Sequence, residues 1–294
     1  MIKNLVISGG STKTIAVLGC LQYLEEQHLL AGITNYVGTS AGSLICMLLV
    51  LGYSSQDMIY LLRDHFFGNN LHHLTLDELM SLDFLQSYGM DTGNNIIIFL
   101  QDVLFLKFHV KDMTFVELAK ATGKNLVVCG ANITKEQSEH LSIDTFPNMS
   151  IVTALRISVS LPFIFTPVKF NDCYYVDGGI YESLPVSYID KFTDPIKDTL
   201  AINTKTVNCG QPIKSFLDYI RVVFNTVVDK ANAKTNVFSS KIKIIDIEFE
   251  DVDITSFSFE NCSFTINDEI IKSHVDKGYA VIKQYFETQT SSDQ

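Results

Sequence analysis

The chain has 294 residues, of which 47% are hydrophobic, and its 33 acidic and 22 basic residues give a net charge of −11. This length and apolar content suffice to bury the core of one α/β domain. The acidic balance argues against binding of nucleic acid, which needs a basic surface to meet phosphates, and against strong electrostatic attraction to an anionic membrane. Contact with lipid would therefore depend mainly on apolar side chains.

Two further features bear on metal content and location. The six cysteines are scattered, and no two have the CxxC spacing of a zinc site, so we expect reduced thiols and no metal. The first residues run directly into a strand pattern without the apolar region of a signal peptide. The longest apolar run near the front, residues 44–51, is too short to span a membrane. The sequence thus predicts a cytoplasmic protein that has neither a signal peptide nor a transmembrane helix.

Strand patterns alternate with helical patterns along the chain. Strands are predicted at residues 5–7, 36–37, 125–129, 170–176 and 199–203. Helices are predicted at residues 15–27 and 44–51, from a cap at Ser54 or Ser55 onward, and at residues 267–286. This interleaving is typical of an α/β fold with a central, mostly parallel sheet. We expect a single domain over residues 3–286 and a polar C-terminal tail over residues 287–294.

The segment Gly38-Thr39-Ser40-Ala41-Gly42 matches the G-x-S-x-G pattern between a strand and an apolar helix. In a nucleophile elbow, a sharp strand-to-helix turn exposes the serine hydroxyl above the sheet. Gly38 and Gly42 would support such an elbow, because larger side chains would collide with the neighbouring strand and helix. The alternative is a tight turn in which Ser40 only caps the helix.

A glycine-rich loop follows the first strand and precedes a helix, with the sequence Ser8-Gly9-Gly10-Ser11-Thr12-Lys13-Thr14. Backbone N–H groups in such a loop can bind an anion. The nucleotide-binding patterns G-x-x-x-x-G-K-[ST] and G-x-G-x-x-G are both absent. An oxyanion-binding loop formed by Gly9, Gly10 and Ser11 fits better beside a nucleophile elbow, and a plain strand-to-helix turn is the alternative.

A nucleophilic serine needs a base, and none of the seven histidines has a setting that suggests this role. Asp177 follows a predicted strand and precedes Gly178 and Gly179, so its carboxylate lies where the chain turns sharply. A carboxylate within hydrogen-bond reach can take the serine proton directly. The alternative is an ordinary Asp-Gly turn.

Taken together, these motifs resemble the patatin-like phospholipase family. The ordered elements are the loop at residues 9–14, the elbow at residues 38–42, the Asp-Gly-Gly motif at residues 177–179, and the segment at residues 154–168 that precedes the aspartate strand. The resemblance extends over roughly residues 3–286. It implies a three-layer α/β/α fold and a phospholipase A-like lipid acyl hydrolase that needs no cofactor or metal and meets its lipid substrate at a membrane surface.

The resemblance also implies roles for individual residues. Ser40 would attack the ester carbonyl, Asp177 would act as its base, and the loop of Gly9, Gly10 and Ser11 would bind the oxyanion. Ser11 and Thr14 stand where the family has glycine. A β-branched Thr cannot readily adopt a positive φ, and if the loop needs this conformation at Ser11 or at Thr14, the oxyanion hole would be distorted. A thioesterase or protein deacylase, and a catalytically weak lipid- or partner-binding module that retains the fold, therefore stay open as alternatives.

Residues 96–108 are rich in Ile, Leu and Phe. They are expected either to form a helix packed in the core or to line an acyl chain or a membrane-facing flap.

Overall fold

The computed structural model describes residues 1–68, 86–192, 194, 196–207, 242–250 and 267–292, with a few isolated residues between 213 and 264. Its centre is an eight-stranded sheet in the order β10-β9-β1-β2-β4-β8-β7, with β5 paired to β4. The strands of this sheet are β1 Asn4–Ile7, β2 Asn35–Thr39, β4 Asn125–Asn132, β5 Gln137–Ser142, β7 Val168–Phe170, β8 Cys173–Asp177, β9 Thr199–Val207 and β10 Lys243–Glu250. The strands from β10 to β4 run parallel, and β5, β7 and β8 pair antiparallel. The central, mostly parallel sheet predicted from the sequence is therefore confirmed.

Within the described residues, seven α-helices pack with this sheet. They are α1 Ile15–Glu26, α2 Ala41–Val50, α3 Ser55–Gly68, α4 Asn94–Phe108, α5 Phe115–Thr122, α6 Ile151–Ser158 and α7 Asp268–Ser292. Two short strands, β3 Gly89–Asp91 and β6 Phe163–Phe165, pair with each other beside the main sheet. Strands β11 Phe257–Ser258 and β12 Ser263–Phe264 pair in a further two-stranded sheet.

Alternating side chains of the central strands divide the core into two layers. In β1, Leu5 and Ile7 join a large apolar cluster to which all seven helices contribute. Val6 faces the other way, into a smaller cluster with Val186 and Ile189 of the 3-10 helix Val186–Lys191. The sheet therefore has an apolar layer on each face, as the three-layer α/β/α fold requires.

Two predicted boundaries were wrong. The single strand predicted at residues 170–176 is a hairpin of β7 and β8, because Asn171 and Asp172 turn the chain with φ of 46° and 59°. Asn and Asp are the non-glycine residues that adopt this left-handed conformation most readily. The closing helix predicted to end at Phe286 continues to Ser292, so most of the predicted tail is helical.

The backbones of helices α1 and α7 lie very close to each other. A Cβ added to Gly278 would lie 1.8 Å from the carbonyl oxygen of Ala16, and one added to Gly19 would lie 1.9 Å from that of Val275. The thiol of Cys20 also donates a hydrogen bond to the carbonyl of Gly278, at 3.2 Å. The glycines thus bring the two backbones into direct contact.

Helix α4 packs into the core on one side, as one of the two alternatives for residues 96–108 predicted, and is exposed on the other. Leu100, Val103 and Leu104 are buried in the core, whereas Ile98 and Leu106 are 53% and 65% exposed. One side of the helix therefore packs inward and the other meets solvent. Among the described residues, no helix combines the length and the apolar character needed to cross a bilayer.

Candidate active site

Ser40 occupies the sharp turn between β2 and α2. Its backbone has φ 53° and ψ −131°, a conformation that is costly for a residue with a side chain. The side chain is mostly buried, and the Ser40 N–H donates to Oγ of Ser158 at 2.8 Å. The strained turn predicted for an elbow is therefore present at this serine.

Two glycines let the turn form. A Cβ on Gly38 would lie 2.6 Å from Cα of Ser43, and one on Gly42 would lie 2.4 Å from the carbonyl oxygen of Ser8. Both distances are too short for a side chain, so the first turn of α2 can lie against the ends of β1 and β2 only because these residues are glycine.

Asp177 is the last residue of β8, and its carboxyl group is buried. Oδ1 accepts a hydrogen bond from the N–H of Gly179 at 2.8 Å. Oδ2 has no hydrogen-bond partner within the described part of the chain. The side chain is therefore held by one oxygen, while the other is left to interact with a reacting group.

The structure brings Ser40 and Asp177 together. Burial raises the pKa of Asp177 to about 7, while the nearby hydroxyl of Ser40 and the N–H of Gly179 act to lower it. The Ser40 hydroxyl lies close enough to the carboxylate to favour its charged form. A carboxyl with a pKa near neutrality suits general-base chemistry.

The three residues predicted to form an oxyanion-binding loop after β1 differ in how their N–H groups are bonded. The N–H of Gly9 donates to the carbonyl of Ser183 at 2.9 Å, so it is already occupied. The N–H groups of Gly10 and Ser11 have no such acceptor among the described residues. Of the three N–H groups, those of Gly10 and Ser11 are therefore available to another acceptor.

The two departures from the family pattern have different outcomes. Thr14 ends the 3-10 helix Ser11–Thr14 with φ −63° and ψ −15°, an ordinary helical conformation in which its side chain causes no strain. Ser11 has φ 52°, in the left-handed region that favours glycine. Thr14 therefore does not distort the backbone of the loop, and the residue with an unfavourable backbone conformation is Ser11.

Sequence reasoning missed Thr204 and Ser158, which brace the site from distant segments. Thr204 of β9 donates from Oγ1 to the carbonyl of Gly9 at 3.1 Å, and a Cβ on Gly10 would lie 2.1 Å from the same hydroxyl. Ser158 of α6 donates to the carbonyl of Cys129 at 2.6 Å while accepting the N–H of Ser40. No local motif marks either residue, because their partners lie far away in the chain.

A pocket of about 200 Å³ opens beside Ser40. Ser11, Thr12 and Thr14 of the entry loop contribute to its lining, and its surface is almost entirely apolar. Its apolar walls come from α1 (Ile15, Leu18), α2 (Ala41, Leu44, Ile45, Leu48), α3 (Met58, Leu61, Leu62), α4 (Ile96, Phe99) and the segment around α6 and β6 (Val159, Leu161, Phe165). Such a cavity accepts an apolar ligand next to the serine.

Arg156 contacts two segments of the chain next to this pocket. The guanidinium is buried and donates to the carbonyls of Thr92 and Thr166, at 2.8 and 3.0 Å. A Cβ on Gly93 would lie 2.1 Å from Nε of Arg156. Arg156 therefore holds together the two loops that carry the pocket residues Asp91 and Phe165.

No histidine of the described residues forms a hydrogen bond with Ser40. His140 instead pairs with Glu182, with Nε2 and Oε2 3.1 Å apart. His72 and His73 lie outside the described residues.

Comparison with known proteins identifies the family of the chain. Residues 5–190 match the model of the family described as patatin-like phospholipase. The chain belongs to the patatin-like phospholipase family. Over 190 residues it is 34% identical to "Probable lipid hydrolase 463L" of Invertebrate iridescent virus 6, covering 65% of this chain and 64% of that protein. It is also 25% identical over 271 residues to an uncharacterized protein, YqhO, of Bacillus subtilis, covering 86% and 89% of the two chains.

Solved structures with the patatin fold superpose on the whole chain. VipD from Legionella pneumophila matches 98% of this chain and 67% of its own, with a TM-score of 0.60 and 18% identity. ExoU of Pseudomonas aeruginosa, in complex with SpcU, matches 98% of this chain and 52% of its own, with a TM-score of 0.55 and 17% identity. At this level of identity the likeness confirms the patatin-like fold alone.

The pKa of Asp177 yields a stability prediction. Because the folded-state pKa lies near 7, above the unfolded value near 4, the folded protein holds this proton more strongly, and stability falls as pH rises through that window. Above about pH 7 the ionised carboxyl lowers the free energy of unfolding by its full amount, about 4 kcal/mol. Asp177→Asn should therefore raise the melting temperature, and the gain should widen between pH 5 and pH 8 in thermal unfolding.

Asp198 provides the matched control. Its buried carboxylate forms an ion pair with Lys3 at 2.6 Å, and the hydrogen bond from that lysine lowers its pKa. Asp198→Asn should therefore lower stability at pH 8, the opposite direction. A stabilising effect of Asp177→Asn that is equal at pH 5 and pH 8 would show that the carboxyl charge is not its cause.

Proposed function

We propose that the protein is a lipid acyl hydrolase of phospholipase A type that cleaves fatty-acyl esters with Ser40 as nucleophile and Asp177 as base. One observation carries the proposal. The strained serine, a buried carboxyl with an unpartnered oxygen, and the mouth of an apolar pocket lie at one place. Membership of the patatin-like phospholipase family supports the same chemistry.

In the first step, Asp177 takes the proton of the Ser40 hydroxyl as Oγ attacks the acyl carbonyl carbon. The tetrahedral intermediate collapses, the ester C–O bond breaks, and the leaving alcohol receives the proton. Water then attacks the acyl-serine with Asp177 again as base, which releases a free fatty acid and restores the serine. Each step balances with protein groups and water alone.

The developing oxyanion is assigned to the N–H groups of Gly10 and Ser11. Among the described residues neither has another acceptor, and Gly10 is held by its close contact with Thr204. Loss of one such donor typically lowers the rate by about 10²–10³. The geometry of Ser11 is therefore of direct consequence for turnover.

The pocket indicates an acyl chain as the group bound next to Ser40. Leu44 and Leu48 follow Ser40 at one-turn intervals along α2, so the apolar wall extends about 12 Å from the nucleophile. Outside the pocket, Ile98 and Leu106 of α4 present apolar surface to solvent. On a protein of net charge −11, these side chains suit contact with lipid through apolar rather than charged groups.

A catalytically weak lipid-binding module is the second candidate, and one observation favours it. Ser11 adopts φ 52° at a position where the family has glycine, which costs of the order of 1 kcal/mol and biases the loop against its donor geometry. The same pocket would then bind an acyl chain without efficient turnover.

The nucleophile is tested by labelling with a fluorophosphonate probe. The probe should modify Ser40, and the rate should rise with pH to a plateau above about 7 as Asp177 loses its proton. Ser40→Ala should abolish labelling, and Asp177→Asn should slow it by at least about tenfold. Mass spectrometry of the labelled peptide identifies the site.

Ser150→Ala is the control, because Ser150 also stands at a helix start, where its hydroxyl caps α6 through the N–H of Thr153 and donates to Asp112 without forming a strained elbow. It should label as the wild type does. Full ester hydrolysis by the Ser40→Ala protein would overturn the assignment of the nucleophile.

The acyl pocket is tested by filling it. Leu48→Phe should reduce hydrolysis of long-chain p-nitrophenyl esters at least tenfold relative to short-chain esters, since each buried methylene contributes about 0.8 kcal/mol. Leu49→Phe, also buried but not among the pocket residues, controls for overpacking of α2. An equal loss at every chain length would remove the pocket from the substrate site.

Ser11→Gly separates the two candidate functions. If strain at Ser11 holds back turnover, this change should raise kcat at least about tenfold with little change in KM, because a better placed donor acts in the transition state. Thr14→Gly should leave kcat nearly unchanged, since Thr14 is already helical. Strong wild-type turnover with no gain in Ser11→Gly would exclude the weak-module alternative.

A further inference from the structure

Three side chains capable of binding a metal converge behind the active site. Cys129 of β4 and His140 of β5 are direct partners in the antiparallel ladder, so their side chains emerge side by side on one face of the sheet. Glu182, five residues after Asp177, reaches the same place from the turn that follows β8. We refer to these residues as the Cys-His-Glu cluster.

The distances within the cluster approach those of a metal site. Sγ of Cys129, a ring nitrogen of His140 and a carboxylate oxygen of Glu182 all lie within 4.8 Å of one another. Nε2 of His140 and Oε2 of Glu182 are 3.1 Å apart. Around a tetrahedral zinc ion, with bonds of about 2.0–2.3 Å, ligand atoms are roughly 3.5 Å apart. The His140–Glu182 distance is thus already within this range, and the 4.8 Å bound for the whole cluster lies above it.

Burial and charge also fit a metal ion. Cys129 is fully buried, and the side chains of His140 and Glu182 are only 16% and 9% exposed. A thiolate, a carboxylate and a neutral imidazole carry two negative charges, which a divalent cation neutralises. When the charges of the ligands and the metal cancel, the buried site avoids the large free-energy cost of an uncompensated charge.

Cys129 differs from two other buried cysteines in its partners. Cys20 and Cys46 donate to the backbone carbonyls of Gly278 and Val37, whereas Sγ of Cys129 lies 3.3 Å from the Ser138 hydroxyl and beside His140 and Glu182. The Cys-His-Glu set is the one group of three or more metal-ligating side chains found among the described residues. The supporting polar shell is also present, because Ser187 donates to Glu182 from both its N–H and its hydroxyl, at 2.9 and 2.8 Å.

We propose that Cys129, His140 and Glu182 bind a zinc ion or a similar borderline-soft divalent cation. The ligands are Sγ, Nε2 and a carboxylate oxygen, and water occupies the fourth position. Binding replaces the thiol proton of Cys129, which passes to solvent. The mixture of sulfur, nitrogen and carboxylate ligands favours zinc over magnesium or calcium, which prefer oxygen ligands alone.

The position of the cluster gives the ion a structural task. The carbonyl of Glu182 accepts the hydroxyl of Thr39, the residue before Ser40, at 2.9 Å. Its N–H donates to the carbonyl of Gly178, the residue after Asp177, at 2.9 Å. An ion on Glu182 would therefore fasten the turn that carries Asp177 to strands β4 and β5, independently of whether the proposed hydrolysis is correct.

The test uses the purified full-length chain and cobalt(II), a spectroscopic substitute for zinc. Titration should give thiolate-to-cobalt charge-transfer absorption that saturates at one equivalent and is displaced by zinc. Zinc should also raise the melting temperature of the chelator-treated protein. Absence of the thiolate band in the wild type would overturn the proposal, with no variant required.

Variants then assign the ligands. Cys129→Ser should abolish the thiolate band, and His140→Gln and Glu182→Gln should each weaken cobalt binding at least tenfold. Cys46→Ser, an equally buried cysteine outside the cluster, should retain the wild-type spectrum. A thiolate band that persists in Cys129→Ser would place the metal elsewhere. If zinc does not change the wild-type melting temperature while Glu182→Gln lowers it, the cluster is only a His140–Glu182 ion pair.

Discussion

The backbone of Ser40 adopts a conformation that costs of the order of 1–3 kcal/mol, and the rest of the site is arranged so that this turn persists. Gly38 and Gly42 let α2 lie against the strand ends, because a side chain at either position would collide with backbone. The N–H released by the turn is taken up by Ser158, which is anchored in turn to β4. The strained turn is thus stabilised by its packing against the end of β1 and by Ser158 of α6, which itself bonds to β4.

The sequence predicted the elements whose information is local. The first two strands, the helices that follow them and the positions of Ser40 and Asp177 at strand ends depend on apolar periodicity and glycine placement over a few residues. The hairpin of β7 and β8 escaped prediction because its apolar residues continue through the turn at Asn171 and Asp172. Helix α7 was predicted too short because its last turns are polar and lack a helix-ending signal.

Contacts between distant residues could not be predicted in the same way. Thr204 lies about two hundred positions from the loop it supports, and nothing in its neighbours indicates that role. The occupation of the Gly9 N–H by Ser183 likewise appears only once the chain is folded. The Cys-His-Glu cluster is assembled from three segments without the paired spacing of familiar zinc motifs, so the expectation of no metal was based on local pattern alone.

The backbone contact between α1 and α7 also bears on biosynthesis. Ile15 and Leu18 of α1 form one wall of the pocket, yet α1 is packed against a helix made from residues 268–292. A contact that spans most of the chain forms late, because its loop-closure entropy must be overcome first. During translation α1 therefore lacks this partner until residues 268–292 have left the ribosome. Until then the apolar side of α1 that α7 covers is exposed, which makes the nascent chain a candidate client for chaperones.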